Sequence, residues 1–570
     1  MIKRLLRNYH IFHYITNKFI IKMNQLILRR KIILCLVLLL CTSIIHNDNQ
    51  QERIIVINNS IKSAGALVKD MNLSIADASF IGEAEDDKAG SCLVRAGDVN
   101  DDGYDDILIG VHNNDEGIFR AGQTYLIFGK DSGWAMDVDL SNADASFHGE
   151  AMSDDSGFSV AGAGDVNGDG YDDILIGAPC NGEWGYQAGK AYLIFGKGSG
   201  WAMDVNLSNA AEASFHGEYG GDQAGYCVAG AGDVNDDGYD DILIGAWGND
   251  DHGPDTGQTY LIFGKNSGWS VNVNLSNSNA SFFGEGLYDW SGIEISKAGD
   301  VNGDNHDDIL IGVSRNDDRG LDAGKTYLIF GKDSEWSMDV NLSNADASFR
   351  GEYADDKSGF SVAGVGDVNG DGYDDILIGA PYGGLGNKGR AYLIFGKGLG
   401  WAMDVSLSNA NIFFRGEADD DNACLVAGAG DVNGDGYDDI LIGVPSNDEW
   451  GIISGQVYLI YGKGSGWAMD VDLSNADASF HGECGGDYAG SYVAGAGDVN
   501  DDGYDDILIC ANSNDQGTTD TGKVYLFFGS LSNSFNPPNQ NDIPGYPSFF
   551  FMVFAIASTA LYVLKKKKSG

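Results

Sequence analysis

A sixteen-residue motif, GDVNGDGYDDILIGAP at 164–179, recurs in close variants seven times, and this recurrence decides the fold class before any single residue is considered. GDVN begins at Gly97, Gly164, Gly232, Gly299, Gly366, Gly430 and Gly497, at steps of 67, 68, 67, 67, 64 and 67 residues. Each copy runs on through a variable stretch, a segment such as KAYLIFGK (190–197), a GWAMDV segment and an ASFHGE-like segment. Such a period marks a stacked or closed array of similar units. Within one unit the apolar segments are short, β-rich and bounded by turn residues: FSVAGAG, DILIGA, AYLIFG and DASFHG. Four strands per unit in seven units predict an all-β, seven-bladed β-propeller, whose closure leaves only short protected edges. The first copy opens with NLSIADASFIGE (72–83), a fourth-strand segment placed ahead of its own first strand. The seventh ends at VYLFFG (524–529) without one. Residues 76–82 are therefore predicted to complete the last blade and latch the ring.

Composition narrows the function classes. At 570 residues the chain is too long for one ordinary core. Gly 82 with only Pro 8 excludes collagen and Pro-rich disorder. A net charge of −49 argues against nucleic acid, which would meet a surface of its own sign. Cys92, Cys180, Cys227, Cys424, Cys484 and Cys510 fall at irregular places, so no repeated disulfide within the units is expected.

The two ends depart from the repeat. Arg29–Lys31 precede the apolar run IILCLVLLLCTSII (32–45), the length of a signal-peptide core and short for a membrane span. Residues 1–45 read as a leader, with Met23 as an alternative start and a signal anchor as the alternative role. A linker (46–65), the ring (66–532) and a stalk (533–545) follow. YPSFFFMVFAIASTALYVL (546–564) is long enough to cross a bilayer, and Lys565–Lys568 in the tail 565–570 should stay cytoplasmic. These ends predict a single-pass protein with its ring outside the cell. IPGYP (543–547) looks like the Pro-Gly-aromatic element of archaeal C-terminal sorting signals; a plain stop-transfer anchor is the other reading.

In the acidic loop of the second copy, alternate positions supply oxygens: Asp165, Asn167, Asp169, a main-chain carbonyl near Tyr171, and Asp173. Five ligand positions around a tight turn at Gly170 suit Ca²⁺, which takes six to eight oxygens. An EF-hand would need a glutamate at position 12; here Ile-Leu-Ile follows, so the loop joins two strands. The other sets are Asp98, Asn100, Asp102, Tyr104 and Asp106; Asp233, Asn235, Asp237, Tyr239 and Asp241; Asp367, Asn369, Asp371, Tyr373 and Asp375; Asp431, Asn433, Asp435, Tyr437 and Asp439; and Asp498, Asn500, Asp502, Tyr504 and Asp506. The fourth copy has Asp300, Asn302, Asp304, His306 and Asp308, with Asn305 at the glycine position. Asn tolerates positive φ, so this site is expected to survive. Up to seven Ca²⁺ are predicted.

GFSVAGAGDVNGDGYDDILIGAP (157–179) followed by AGKAYLIFG (188–196) resembles the FG-GAP repeat of integrin α-subunit propellers and their prokaryotic relatives. The resemblance implies a propeller with calcium-binding hairpin loops and a role in surface recognition. Gly-Ala-Pro is intact only at 177–179 and 379–381, and Cys510 replaces its glycine in the last copy. Nothing in the chain resembles the leg domains or the inserted ligand-binding domain of integrins.

Antiparallel strands put the acidic loop and the third-to-fourth connection on one face, and that face is nearly constant between copies. The opposite face differs in every blade, as in APCNGEWGYQAG, AWGNDDHGPDTG and VPSNDEWGIISG. A rigid scaffold with one variable face suits recognition. Trp184, Tyr186, Trp247, Tyr288, Trp290, Tyr382 and Trp450, with Tyr488, are candidate anchors for a protein or glycan ligand; packing between blades is their other reading. His148, His216 and His481 share one repeat position, read as a surface strand position. Glu83, Glu150, Glu218, Glu285, Glu352, Glu417 and Glu483 occur in all seven copies, which suits a structural hydrogen bond better than a catalytic acid. No nucleophile elbow, HExxH or phosphate loop is present, so no enzyme activity is predicted. Sequons at Asn72, Asn206, Asn274 and Asn341 share a repeat position. The reading is a calcium-stabilised, membrane-tethered adhesion module. A structural envelope component or a polysaccharide-active propeller are the alternatives, and a partner subunit is left open.

Overall fold

In the computed structural model, residues 67–115, 117–515 and 519–531 are described. The leader, linker, stalk, membrane span and tail expected from the sequence lie outside the described residues. Among the described residues, no helix is long and apolar enough to cross a membrane.

The second blade shows how a unit is built. Ser159–Gly164, Asp173–Ala178, Lys190–Ile194 and Ala213–His216 pair antiparallel in sequence order. Asp173–Ala178 is buried along its whole length, because the blade packs on a neighbour on each side. That accounts for the unbroken DILIGA run where a one-sided strand would alternate. Seven such sheets are present.

The four-stranded expectation needs one correction. Every sheet carries a fifth, short outer strand borrowed from the next repeat. In the second blade it is Val273–Asn274, which runs parallel to Ala213–His216 with Phe215 opposite Val273. It ends the GWAMDV-type segment, so each unit reaches back over its predecessor.

First strands of neighbouring blades adjoin around the axis, and Cys92–Gly97 meets Ala489–Gly497 at the seam. Ala78–Ile81 pairs antiparallel with Lys523–Phe527, Phe80 opposite Val524, so the predicted latch closes the seventh blade. A second latch was not predicted: Met71–Asn72 runs parallel to Ala478–His481 and finishes the sixth blade. The hydrophobic core is divided into seven clusters, each shared by two adjacent blades. At Gly177 the blades come so close that a Cβ would lie 2.1 Å from the Gly225 carbonyl oxygen. Cys510 takes this position at the seam, with its Sγ 3.6 Å from the Ala89 carbonyl oxygen.

The repeated glutamate is a clamp between blades. Glu218 follows the fourth strand of the second blade and accepts a hydrogen bond at 2.9 Å from the hydroxyl of Tyr260, wholly buried in the third. Tyr125–Glu83, Tyr327–Glu285, Tyr392–Glu352, Tyr458–Glu417 and Tyr525–Glu483 repeat the contact. Lys190 adds an ion pair to Glu150 at 2.9 Å. Glu218→Ala is expected to destabilise the ring by about 1.5–3 kcal/mol, the worth of a hydrogen bond to a charged group. Urea denaturation reads this directly, and an unchanged midpoint would remove the clamp from the account.

The four asparagines at the shared sequon position have a structural use. Asn206 Oδ1 accepts the Ser208 N–H at 3.0 Å and caps a helical turn, while Nδ2 donates to the Gly149 carbonyl at 3.3 Å. Asp139, Ser406 and Asp472 cap the same turn in other repeats, so a short side chain with an acceptor oxygen is what the position requires.

Candidate metal centres and the opposite face

Each acidic loop joins the first and second strands of a blade and is folded around its own first aspartate. Asp165 Oδ1 accepts the N–H groups of Gly168 (2.7 Å) and Asp169 (3.0 Å), and Oδ2 accepts that of Gly170 (2.9 Å). The turn places Gly170 at φ 92°, a left-handed conformation that favours glycine. In the fourth loop Asn305 sits there at φ 69°, as its tolerance of positive φ predicts. Its N–H reaches Asp300 Oδ2 at 2.8 Å, so the departure leaves the loop fold intact.

The last aspartate of each set lies at the base of the loop on the buried second strand. Asp173 is fully buried and accepts hydrogen bonds from the N–H groups of Val166 (3.1 Å) and Gly196 (2.8 Å) and from the Asn167 amide. Burial pushes its carboxyl up to about 8, and repulsion from Asp169 and Asp165 adds to the effect. Asp106, Asp241, Asp308, Asp439 and Asp506 are pushed to about 8 and Asp375 to about 7, with burial again the leading cause. In the sixth loop the Asn433 amide nitrogen is used by Asp439, while Oδ1 is buried and has no hydrogen-bond partner. A carbonyl oxygen left bare beside carboxylates disfavoured by burial and mutual repulsion is the donor set a hard cation takes. The residues fit Ca²⁺. Tyr104, Tyr171, Tyr239, His306, Tyr373, Tyr437 and Tyr504 enter such a set only through the main chain.

One residue in each loop was missed. Asp172, next to Asp173, points away from its own loop and accepts the N–H of Asp98, first residue of the preceding loop, at 2.9 Å. The same bond joins Asp240 to Asp165, Asp307 to Asp233, Asp374 to Asp300, Asp438 to Asp367 and Asp505 to Asp431. Asp105 to Asp498 closes the circle. Seven loops are thus chained head to tail around the axis. Arg95 bonds Asp105 at 2.9 Å and Lys297 bonds Asp307 at 3.0 Å, adding two cations to this carboxylate circle.

A family model for the FG-GAP repeat matches residues 156–194, 358–394, 426–460 and 491–527, which are strands one to three of the second, fifth, sixth and seventh blades. The chain carries FG-GAP repeats. It is 31% identical over 304 residues to integrin alpha pat-2 of Caenorhabditis briggsae, covering 50% of this chain and 22% of that one. To integrin alpha-V of Gallus gallus it is 28% identical over 245 residues, covering 42% and 21%. To integrin alpha-IIb of Mus musculus it is 30% identical over 149 residues, covering 25% and 14%. The chain therefore spans about a fifth or less of the length of these relatives.

The face of this FG-GAP propeller opposite the acidic loops carries the candidate anchors, in three arrangements. Trp184 stacks on His216 at 4.3 Å and Trp450 on His481 at 4.2 Å, within their own blades. These covers bury His216 and His481, so the surface reading of those two positions is wrong. Trp247 and Trp290 meet at 4.6 Å, with Tyr226 against Trp247 and the Arg315 guanidinium 3.3 Å over Trp290. This second group extends through Phe158 to His112 and spans the first four blades. Tyr186, Tyr288, Tyr382 and Tyr488 stand exposed, Tyr186 at 81%. Some of these aromatics therefore pack on neighbouring side chains, and others stand in solvent.

Proposed function

We propose that the protein is a calcium-stabilised recognition module of the cell surface, binding an extracellular protein or glycan through the face opposite its acidic loops. One observation carries the reading. Among the described residues, fifteen of the nineteen exposed large hydrophobic side chains lie on that face or its rim; the exceptions are Val271, Leu399, Met469 and Leu531. An apolar surface so concentrated marks an interaction site. The indole N–H groups of Trp247 and Trp290 are buried there without a hydrogen-bond partner. The likeness to integrin α chains supports the same reading. Bound divalent cations supply positive charge at the seven loops, and Asp165 and its counterparts hold the scaffold rigid around them. The module sits outside the cell on a single membrane span, residues 546–564, with the basic tail inside. It has no catalytic activity of its own, since the repeated glutamates are engaged by tyrosines.

The test is binding of the purified protein to cells and to isolated envelope glycans in millimolar calcium. Trp290→Ala is expected to weaken binding tenfold or more, a hot-spot effect of about 2 kcal/mol, in a ring that a melt recorded alongside shows to be still folded. A folded ring that binds neither and self-associates into arrays would favour a structural envelope component. Conversion of a polymer by the pure protein would make it an enzyme.

A further inference from the structure

The acidic face holds a cluster that the calcium reading does not use. Six loops carry tyrosine at their seventh position and the fourth carries His306. Where tyrosine stands, its ring lies against the preceding loop, so close at Tyr239 that a Cβ on Gly168 would meet the ring at 2.5 Å. At the boundary of the third and fourth blades the imidazole meets carboxylates instead. His306 Nε2 is 2.8 Å from Oδ1 of Asp333, which lies on the connection after the third strand of the same blade. Asp236, on the loop of the preceding blade, completes the group: ligand atoms of Asp236, His306 and Asp333 all lie within 4.8 Å of one another. None of these side chains is spent elsewhere in the calcium scheme. Asp236 occupies a non-ligand position of its loop, Asp333 belongs to no loop set, and His306 contributes there only its main-chain carbonyl.

We propose that Asp236, His306 and Asp333 form a site for a divalent transition metal of the zinc type, tying the third and fourth blades together on the acidic face. An imidazole with two carboxylates is a ligand set for zinc and its neighbours, whereas Ca²⁺ prefers oxygen alone. Three protein ligands leave room for water to complete the coordination. Nδ1 of His306 is 3.2 Å from Asp304 Oδ1, on the far side of the ring from Asp333. A proton on Nδ1 held by Asp304 leaves the Nε2 lone pair free for the metal, the carboxylate–histidine–metal relay that orients ligating imidazoles. The proposal stands whether or not the seven loops take calcium.

The experiment is a Zn²⁺ titration by calorimetry into the full chain saturated with Ca²⁺, comparing the native protein with His306→Tyr. This variant installs the residue of the other six blades and removes no calcium-ligand side chain, so folding is expected to survive; a melt recorded alongside checks it. The native chain should take up one equivalent of Zn²⁺ that the variant lacks, and Co²⁺ in its place should give the visible absorption of a nitrogen-ligated ion. Equal uptake by both proteins, whether at scattered acids or at the acidic loops, would overturn the site, as would no uptake by either. If the chain binds no calcium at all, the difference between the two proteins still reads the site.

Discussion

Chelation of calcium is expected to lower the melting midpoint of the ring by roughly 20–30 °C. A cation held at about a thousand times its dissociation constant stabilises a folded site by ~4 kcal/mol, and seven sites act on one cooperative ring. Unfolding about 465 residues carries an entropy near 1 kcal/mol per kelvin at ~2.1 cal/mol/K per residue, which converts the total to that shift. The residues explain why the effect should be so large. Without a counter-charge, Asp165, Asp169 and the buried Asp173 repel one another at the mouth of a strand that packs on both sides. The head-to-tail bonds from each loop to the one before would pass a local loosening around the axis. Scanning calorimetry in millimolar Ca²⁺ and in EGTA measures the shift, and equal midpoints would sink the calcium reading.

Deleting residues 67–82 should abolish the cooperative transition altogether. The deletion removes the fourth strand of the seventh blade and the parallel strand of the sixth, with Met71, Leu73, Ala78 and Phe80 all buried. Burying the Met, Leu and Phe side chains is worth about 1.5–3 kcal/mol each, so the apolar loss alone approaches the ~5–15 kcal/mol that separates most folded proteins from unfolding. The cut also bares Lys523–Phe527 as an unpaired edge, a template for aggregation. The milder Phe80→Ala should cost about 3–5 kcal/mol and keep the ring closed. Urea melts followed by tryptophan fluorescence distinguish the three proteins; a shortened chain that unfolds at the native midpoint would show that the latch is dispensable.

Much of this was legible because the chain contains seven copies of its own solution. The period, the four long strands, the acidic loops and the latch through Phe80 all follow from comparing one copy with the next. What escaped was what crosses between copies. Val273–Asn274 is too short for strand periodicity and pairs with a strand of the preceding unit. Asp172 bonds a residue 74 positions away, although its signal was present: an aspartate stands beside the last ligand in all seven copies, where a ligand pattern of alternate positions needs none. Cys92 and Cys227 share one position at the start of the inner strand, each with its Sγ at the main chain of the next inner strand. Ser159 serves the same purpose between them through a hydroxyl, which made the cysteines look irregular. His216 and His481 were misjudged because their cover comes from Trp184 and Trp450, on the loops that vary between copies; His252 covers Phe283 in the same way in the third blade.

The seam bears on how the ring is made as well as how it is held. Asp77 receives the N–H of Phe528, 451 residues further along the chain. At a synthesis rate of about 5–20 residues per second, the first-made strand waits roughly 20 to 90 seconds for its partner. Throughout that interval the growing chain is an open arc with two unsatisfied ends. Middle blades can assemble as they emerge, but closure is a single late event, available only to a finished polypeptide. A molecule truncated during translation never reaches it, and its bare ends give proteases and chaperones a way to tell an incomplete copy from a complete one.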